Sequence, residues 1–184
     1  MKRIEAIETI LNVLDDELVI LANGMICRES FITKDRLQNF YMLGSMGLAP
    51  SIGLGVAINQ PNRKVVIFDG DGNLLMNLGT LALTGTLLPE NFYHFVFDNE
   101  VYGSTGDQPT LTSKINLDKI AKASGYKMTL LIDNIEELQT QTVECLRSKG
   151  PVFVLVKINS ECNNDIARVS HSPAEIKDRF MSVV

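Results

Sequence analysis

Short apolar runs alternate with amphipathic or small-residue segments along most of the chain. Continuous runs rich in Val, Ile, Leu and Phe are typical of strands buried on both faces of a parallel sheet. Such runs predict strands over residues 17–23, 39–43, 64–69, 91–99, 126–132 and 151–158. The segments between them predict helices over 2–14, 47–60, 73–88 (interrupted near Gly79 and Gly85), 117–124, 134–148 and, weakly, 173–181. This alternation predicts an α/β fold with a doubly wound, mainly parallel sheet and helices on both faces.

Four polar or glycine-bearing segments lie at the ends of predicted strands. In an open parallel sheet, ligands bind where the carboxyl ends of the strands meet the loops that follow. We therefore expect the binding edge of this protein to be formed by Asn23-Gly24, Gly44–Gly47, Gly70–Gly72 and Asp98–Gly106.

Asp71 stands between two glycines where a buried strand gives way to a helical pattern. Gly and Asp are frequent in tight turns, so the triplet alone is more typical of a turn than of a site. At a helix N-terminus, however, the amides of Gly72, Asn73 and Leu74 would attract an anion such as a phosphate. The carboxylate would repel that phosphate unless a divalent cation lies between them, and Mg²⁺ prefers oxygen ligands of this kind.

A magnesium site needs a second oxygen donor from a neighbouring strand end. Asn99 lies 28 residues after Asp71 (99 − 71) and ends the next predicted strand. The backbone carbonyl of Val101, just beyond it, could be a third ligand. The placement of both segments on adjacent strand ends favours a metal and phosphate site over a simple turn.

Composition narrows the class of protein. The chain has 184 residues, 45% hydrophobic and 21% charged, which is typical of one soluble globular domain. The net charge of −5 and the absence of a long apolar run argue against binding to nucleic acid and against a membrane protein. Cys27, Cys145 and Cys162 form no CxxC pair, so we expect neither a metal cluster nor a disulfide framework, and a reducing cytoplasm fits.

Several other segments receive structural interpretations. The apolar spacing and the acidic residues Glu5 and Glu8 predict that the N-terminal segment is an amphipathic helix and not a targeting signal. His94 lies within an apolar strand, which predicts a core or subunit-contact position. His171 lies in a polar segment, which predicts a plain surface position.

The motifs resemble those of the thiamine-diphosphate-dependent decarboxylase superfamily. Gly70-Asp71-Gly72-Asn73 with Asp98-Asn99 resembles its cofactor motif, GDG followed by NN, and Gly44–Gly47 (GSMG) resembles the segment that grips the cofactor's aminopyrimidine. Most of residues 17–158 resemble, more narrowly, the C-terminal half of phosphonopyruvate decarboxylase and the β subunit of sulfopyruvate decarboxylase. Asp98 departs from the pattern because it replaces the first Asn of the usual pair.

The resemblance implies a role for each matching residue. Asp71, the side-chain oxygen of Asn99 and the Val101 carbonyl would ligate Mg²⁺. The Gly44 carbonyl would accept a hydrogen bond from the 4′-amino group, and Met46 would hold the cofactor bent, although a methionine is more often part of the core. The complete set of implied residues that bind thiamine diphosphate is Asn23, Gly24, Gly44, Ser45, Met46, Gly70, Asp71, Gly72, Asn73, Asn99, Val101, Tyr102 and Gly103.

The resemblance also implies that this chain supplies only part of an active site. Relatives carry an activating Glu on a pyrimidine-binding domain, and Glu5 and Glu8 lie in the wrong context for that role. We therefore expect residues 1–184 to form a single diphosphate-binding domain. A separate pyrimidine-binding α subunit is expected to complete the site, in an assembly that contains further copies of both chains.

The implied reaction is the decarboxylation of a small anionic 2-oxoacid. A carboxy-lyase of this kind converts sulfopyruvate to sulfoacetaldehyde, or phosphonopyruvate to phosphonoacetaldehyde, with release of CO₂. Arg28 is the candidate cation for the substrate, although a salt bridge to Glu29 or another neighbour is about as plausible. Ser104 and Thr105 could donate hydrogen bonds to the substrate or could satisfy the backbone of their own loop.

Other functions remain open at this point. The chain could be a subunit of another thiamine-diphosphate enzyme, either acetolactate synthase-like or 2-oxoacid oxidoreductase-like. It could also be a non-catalytic partner subunit that retains the fold. The matching Asp71, Asn99 and Gly44–Gly47 argue against the non-catalytic alternative.

Overall fold

A computed structural model describes residues 1–103, 105–160 and 165–184. Within these residues a parallel sheet is formed by β1 (Leu18–Leu21), β2 (Asn39–Tyr41), β3 (Val65–Gly70), β4 (Phe92–Asp98), β7 (Met128–Ile132) and β8 (Val152–Lys157). The two strands of a small antiparallel hairpin, β5 (Val101–Tyr102) and β6 (Gln108–Pro109), follow β4 along the chain. The order of the strands in the large sheet is β2-β1-β3-β4-β8-β7, and all of its neighbouring pairs are parallel.

Helices cover both faces of the sheet. They are α1 (Arg3–Val13), α2 (Met25–Thr33), α3 (Ala49–Asn59), α4 (Asp71–Leu75), α5 (Gly79–Leu87), α6 (Leu117–Ala123), α7 (Ile135–Arg147) and α8 (Pro173–Met181). The connections through α2 and α7 run along the sheet in the direction opposite to those through α3, α5 and α6. Because such crossovers are right-handed, the two sets of helices lie on opposite faces. No helix in the described residues is long and apolar enough to span a membrane.

The predicted doubly wound α/β fold is confirmed. Every residue of β1 and β4 is buried, because helices cover these central strands on both sides. The edge strand β7 is partly exposed, since it has a neighbour on one side alone. On one face of the sheet, α1 packs against α2 and α7 through the apolar stripe Ala6, Ile7, Ile10 and Leu11.

The structure differs from the predicted elements in three places. The apolar pattern predicts no element over 24–38, where α2 follows Gly24, and the glycine-bearing segment predicted as a loop after β4 contains the hairpin of β5 and β6. The interruption predicted near Gly79 is confirmed, since α4 and α5 are separated at 76–78. The interruption predicted near Gly85 is wrong: α5 continues through it, and a Cβ there would overlap the Ser124 carbonyl, so Gly85 permits close packing.

The two histidines also differ from each other. His94 is fully buried, as predicted for a core residue, and its Nε2 lies 3.1 Å from the carboxylate of Asp69. The surface position predicted for His171 is wrong in detail. Its ring packs edge-on against Phe31, with ring centroids 5.2 Å apart, and its Nε2 lies 3.1 Å from Asp35 Oδ2. His171 therefore ties the C-terminal part of the chain to the region around α2.

Candidate functional site

The candidate site is a crevice at the carboxyl edge of the sheet, between β1 and β3. Here α2 leaves β1 toward one face and α4 leaves β3 toward the other, which is the topology at which open α/β sheets bind ligands. The crevice is lined by Arg3, Asn23, Gly24, Met25, Ile26, Met46, Gly70, Asp71, Gly72, Asn73, Phe97, Asn99, Val101, Tyr102 and Gly103. Most of the residues predicted to bind the cofactor are thus brought together, although they come from four separate segments of the chain.

Asp71 is the carboxylate at the centre of this crevice, and 3% of its surface is exposed. One oxygen, Oδ2, accepts a hydrogen bond from Thr110 Oγ1 at 2.6 Å and lies 3.2 Å from Thr112 Oγ1. Burial, together with the nearby charge of Asp98, raises the pKa of Asp71 to about 6, although the threonine hydroxyls oppose this. The other oxygen of this carboxylate, Oδ1, lies near the side chain of Asn99.

Three acceptor oxygens converge beside Asp71. The side-chain oxygen of Asn99 lies 3.3 Å from Asp71 Oδ1 and 2.8 Å from the Val101 carbonyl oxygen. With the Asn99 amide turned over, its nitrogen would donate to both oxygens, and hydrogen bonding alone favours that orientation. A bound cation would favour the opposite orientation, in which the side-chain oxygen faces both oxygens and Val101 N–H donates to it at 3.3 Å.

The chemistry of these three oxygens fits Mg²⁺. Ligands about 2.1 Å from an octahedral ion lie about 3 Å from their neighbours, close to the separations found here. One carboxylate, one amide oxygen and one backbone carbonyl are hard ligands, which suit magnesium better than a transition metal. Among the described residues, no cluster of three or more His, Cys, Asp and Glu side chains is present.

Asp98, the departure from the usual motif, faces away from the three oxygens. Its Oδ2 accepts a hydrogen bond from Lys157 Nζ at 2.8 Å, and its Oδ1 accepts from Thr112 Oγ1 at 2.8 Å and from the Glu100 amide at 3.1 Å. Lys157 compensates for the negative charge of Asp98, which an asparagine at this position would not have. Thr112 lies between this carboxylate and Asp71, at 2.8 Å from Asp98 Oδ1 and 3.2 Å from Asp71 Oδ2.

Backbone and side-chain contacts hold the loops of the crevice in register. Asn73 Oδ1 accepts a hydrogen bond from the Gly47 amide at 2.8 Å and joins the β3–α4 turn to the loop after β2. Gly47 has a φ of 92°, a conformation that favours glycine. A Cβ on Gly72 would overlap the ring of Tyr102, so this glycine allows the hairpin to close over the start of α4.

The predicted aminopyrimidine segment is divided between two cavities. Met46 lines the crevice and is 42% exposed, so it is not the plain core residue that methionine most often is. Gly44 and Ser45 line a neighbouring apolar groove between the loop after β2 and α8. Gly44 and Ser45 therefore line a different cavity from Met46, although the three residues are consecutive.

Of the three residues predicted to contact substrate, Arg28 and Thr105 do not line the crevice. Arg28 lies in an adjoining cavity, and its guanidinium donates to the Ile166 carbonyl at 3.4 Å and not to Glu29. Thr105 is exposed, and its hydroxyl donates to the Tyr102 carbonyl or to Gln108 within its own loop. Ser104 lies outside the described residues.

Sequence reasoning missed Arg3, Thr110 and Thr112. Arg3 reaches the crevice from α1, and it forms a two-pronged ion pair with Glu29 through its Nε and Nη2, at 2.8 and 2.9 Å. The two threonines belong to the sequence TLTS, which carries no motif. Their hydroxyls matter because the β5–β6 hairpin turns them back toward Asp71, which local patterns do not reveal.

Comparison with known proteins defines the family. A family model described as "Thiamine pyrophosphate enzyme, C-terminal TPP binding domain" matches residues 24–156. The chain belongs to this family of thiamine-pyrophosphate-binding enzymes. The matched region contains α2, β3–α4 and the β5–β6 hairpin, which contribute most of the residues that line the crevice.

Two curated relatives resemble the chain over almost its full length. The sulfopyruvate decarboxylase subunit beta of Methanocaldococcus jannaschii is 40% identical over all of this chain and 97% of its own length. The phosphonopyruvate decarboxylase of Streptomyces viridochromogenes is also 40% identical, over 99% of this chain but 46% of its own length. The chain thus corresponds to a complete subunit in the first relative and to about half of the second.

A solved structure shares the fold. The benzoylformate decarboxylase of Polynucleobacter necessarius superposes with a TM-score of 0.70 and 22% identity, over 89% of this chain and 34% of that chain. At this identity the likeness concerns the architecture alone. It agrees with the parallel sheet and the two helical layers described above.

Proposed function

We propose that this chain is the diphosphate-binding β subunit of a thiamine-diphosphate-dependent decarboxylase. The substrate is sulfopyruvate or phosphonopyruvate, and the products are CO₂ with sulfoacetaldehyde or phosphonoacetaldehyde. The observation that carries the proposal is the convergence of Asp71 Oδ1, Asn99 Oδ1 and the Val101 carbonyl in a crevice of a thiamine-pyrophosphate-binding domain. The full-length similarity to sulfopyruvate decarboxylase β subunits supports the choice of reaction.

In this proposal, Asp71, Asn99 and the Val101 carbonyl hold Mg²⁺, and the remaining positions are left to diphosphate oxygens and water. A divalent cation between the Asp71 carboxylate and the diphosphate would offset the electrostatic repulsion between these two negative groups. Thr110 donates to Asp71 Oδ2, so that Oδ1 is the oxygen presented to the ion. The positioning of one carboxylate oxygen by a hydroxyl is the kind of support that metal ligands commonly receive.

The rest of the crevice would bind the organic cofactor. Asn23, Gly24, Gly72 and Gly103 lie beside the three oxygens and present backbone and amide groups to the diphosphate, and Tyr102 covers them. Met46 presents an exposed apolar surface on which the cofactor rests, while Gly44 and Ser45 form the other side of the same loop. When bound, thiamine diphosphate supplies an electron sink that accepts the electron pair left by departing CO₂.

A partner subunit is part of the proposal. The M. jannaschii relative is named a subunit beta, whereas the S. viridochromogenes relative is about twice as long as the region it shares with this chain. A pyrimidine-binding α subunit would supply the activating Glu and close the crevice over the cofactor. The active enzyme would then be a hetero-oligomer of the cytoplasm, with more than one copy of each chain.

The test is an aldehyde-release assay on this chain copurified with its native partner, in the presence of thiamine diphosphate and Mg²⁺. Sulfopyruvate, phosphonopyruvate and pyruvate are compared as substrates. We expect turnover of one of the two dianionic substrates, a clear preference over pyruvate, and loss of activity after chelation that Mg²⁺ restores. Cofactor binding without turnover of any of the three would refute the substrate assignment.

A further inference from the structure

A second cavity of about 430 Å³ adjoins the crevice on the side of β2. The crevice and this cavity are both lined by Asn23 and Gly24, which form the turn between β1 and α2. This turn is therefore a common wall of the two cavities. The remaining lining residues of this adjoining cavity are Cys27, Arg28, Met42, Leu43, Arg168 and Val169.

Two arginines, Arg28 and Arg168, line the adjoining cavity. Arg28 donates to the Ile166 carbonyl at 3.4 Å, and within the described parts of the chain neither Arg28 nor Arg168 forms an ion pair. Glu29, the acidic neighbour of Arg28, is already paired with Arg3 at 2.8 Å. Two guanidinium groups on one cavity that no carboxylate of residues 1–103, 105–160 and 165–184 pairs with, in a chain with a net charge of −5, form a local site for an anion.

The other groups on this cavity are not reactive. Cys27 Sγ lies 3.3 Å from the Leu21 carbonyl and 3.2 Å from the Met42 carbonyl, and burial raises the pKa of its thiol to about 12. The thiol is therefore a satisfied core group and not a nucleophile. The Asn23 side-chain oxygen is buried without a hydrogen-bond partner, at the boundary with the crevice. The cavity is thus suited to binding and not to covalent chemistry.

We propose that Arg28 and Arg168 form the subsite for the tetrahedral anionic group, sulfonate or phosphonate, of the 2-oxoacid substrate. This inference rests on the proposed function and specifies how the substrate is oriented. Planar guanidinium groups donate two hydrogen bonds to such oxyanions, and two arginines can together engage more than one oxygen.

The tetrahedral group is the end of the substrate that these arginines should hold. Its charge is unchanged through the reaction, whereas the carboxylate loses its charge as CO₂ departs. A cation fixed on the carboxylate would stabilise the substrate more than the transition state and would slow the reaction. Binding energy on the non-reacting anion positions the substrate without that penalty, and it discriminates against pyruvate, which lacks the group.

Three variants test the inference in the assembled enzyme with its partner subunit. Arg168 is exposed, so Arg168→Ala should fold normally, and Arg28→Lys keeps a cation where Arg28→Ala removes it. For sulfopyruvate or phosphonopyruvate we expect kcat/KM to fall about 10- to 100-fold in each alanine variant, mainly through KM. Pyruvate turnover should change by less than about twofold, and Arg28→Lys should retain part of the activity.

Arg147→Ala is the matched control. Arg147 ends α7 at the opposite edge of the sheet, where it is exposed and lies 3.9 Å from Glu144, so its removal should leave all three substrates unaffected. Thiamine diphosphate affinity, measured by calorimetry with Mg²⁺, should be unchanged in every variant. Equal losses on the anionic substrates and on pyruvate would instead show that Arg28 acts by anchoring the segment around Ile166, and would overturn the inference.

A binding experiment separates this inference from the proposed function. The loaded complex is titrated with 3-sulfopropanoate, 3-phosphonopropanoate and propanoate, which cannot be decarboxylated. We expect binding of one or both of the tetrahedral anions, weakened about 10-fold or more by Arg168→Ala, and no measurable binding of propanoate. The preferred anion identifies sulfonate or phosphonate as the substrate group.

The two failures are distinct. If the wild-type complex binds 3-sulfopropanoate through Arg168 but decarboxylates neither dianionic substrate, the proposed function is wrong and the anion subsite stands. If the complex decarboxylates sulfopyruvate or phosphonopyruvate with unchanged KM in Arg28→Ala and Arg168→Ala, the function stands and the subsite is refuted.

Discussion

Asp69 and Asp71 are two residues apart and both buried, yet their carboxylates have opposite surroundings. Asp69 Oδ1 accepts hydrogen bonds from the Gly70 amide and the Asn73 side chain, and its Oδ2 lies 3.1 Å from His94 Nε2. Both oxygens of this carboxylate are therefore occupied by groups of the core.

Asp71, in contrast, is satisfied on one side only. Its Oδ2 is held by Thr110, but its Oδ1 faces the side-chain oxygen of Asn99 at 3.3 Å, an acceptor against an acceptor. Burial alone does not distinguish the two residues. What marks a candidate ligand-binding carboxylate here is an oxygen grouped with the Asn99 side chain and the Val101 carbonyl, where either a cation or the turned-over Asn99 amide would satisfy it.

The largest expected effect follows from removing the unsatisfied carboxylate. Asp71→Ala should abolish measurable binding of thiamine diphosphate and Mg²⁺ by the assembled complex, since it removes the one acidic ligand, while circular dichroism shows an intact fold. Asp133→Asn, at an exposed carboxylate beyond β7, is the control and should bind normally. Full cofactor affinity in Asp71→Ala would contradict the assignment of the site.

The satisfied carboxylate should matter to stability instead. Asp69→Ala would leave His94 and the Asn73 amide without their acceptor in the core, and we expect a loss of about 3–5 kcal/mol in the free energy of unfolding. Urea unfolding measures this loss. Asp69→Asn, which retains one acceptor oxygen, should lose less. A loss below about 1 kcal/mol in the alanine variant would show that this network contributes little.

The pKa of Asp71 gives a pH-dependent form of the same contrast. Because burial raises this pKa from 3.8 to about 6, the folded metal-free protein keeps a proton that the unfolded chain releases. The stabilisation is complete below pH 3.8 and is lost as the pH rises through 6. Relative to Asp71→Asn, wild type should lose about 3 kcal/mol across this range.

Unfolding of the chelated complex from pH 4 to pH 7, in wild type and Asp71→Asn, measures this difference. Saturation with Mg²⁺ and thiamine diphosphate should remove the loss, because the metal binds the ionised carboxylate. A difference between the two proteins that does not change with pH would mean that Asp71 is ionised in the folded protein at acidic pH.

The smallest expected effect concerns the hydroxyl that orients Asp71. Thr110→Val keeps the shape of the side chain but removes the donor 2.6 Å from Asp71 Oδ2, and it should weaken metal-dependent cofactor binding about 10-fold. Calorimetry in the assembled complex measures the affinity. Thr86→Val, on an exposed turn of α5, should change nothing, and equal behaviour of the two variants would remove Thr110 from the support of the site.

The sequence by itself determined the sheet and the edge at which the crevice lies. Continuous apolar runs predict parallel strands because a strand that is covered by helices on both faces must be apolar at successive positions. Gly70–Gly72 and Asn99 lie where two such runs end, which places them at the edge of the sheet. The short α2 was missed because it follows Gly24 directly and includes buried polar residues such as Glu29 and Ser30. Because polar residues occupy some of its buried positions, the segment does not show the apolar periodicity that predicts a helix.

Only the tertiary structure decided what surrounds the central carboxylate. Thr110 reaches Asp71 across 39 residues of chain, and Lys157 reaches Asp98 across 59, through strand order and the turn of a hairpin. Arg168 joins Arg28 by the path of the segment after β8. Side-chain partners of this kind depend on the packing of distant elements, whereas the strands and their ends are encoded by local sequence. For that reason the edge of the sheet that binds the ligand can be predicted from the sequence, but the residues that contact Asp71 and Asp98 there cannot.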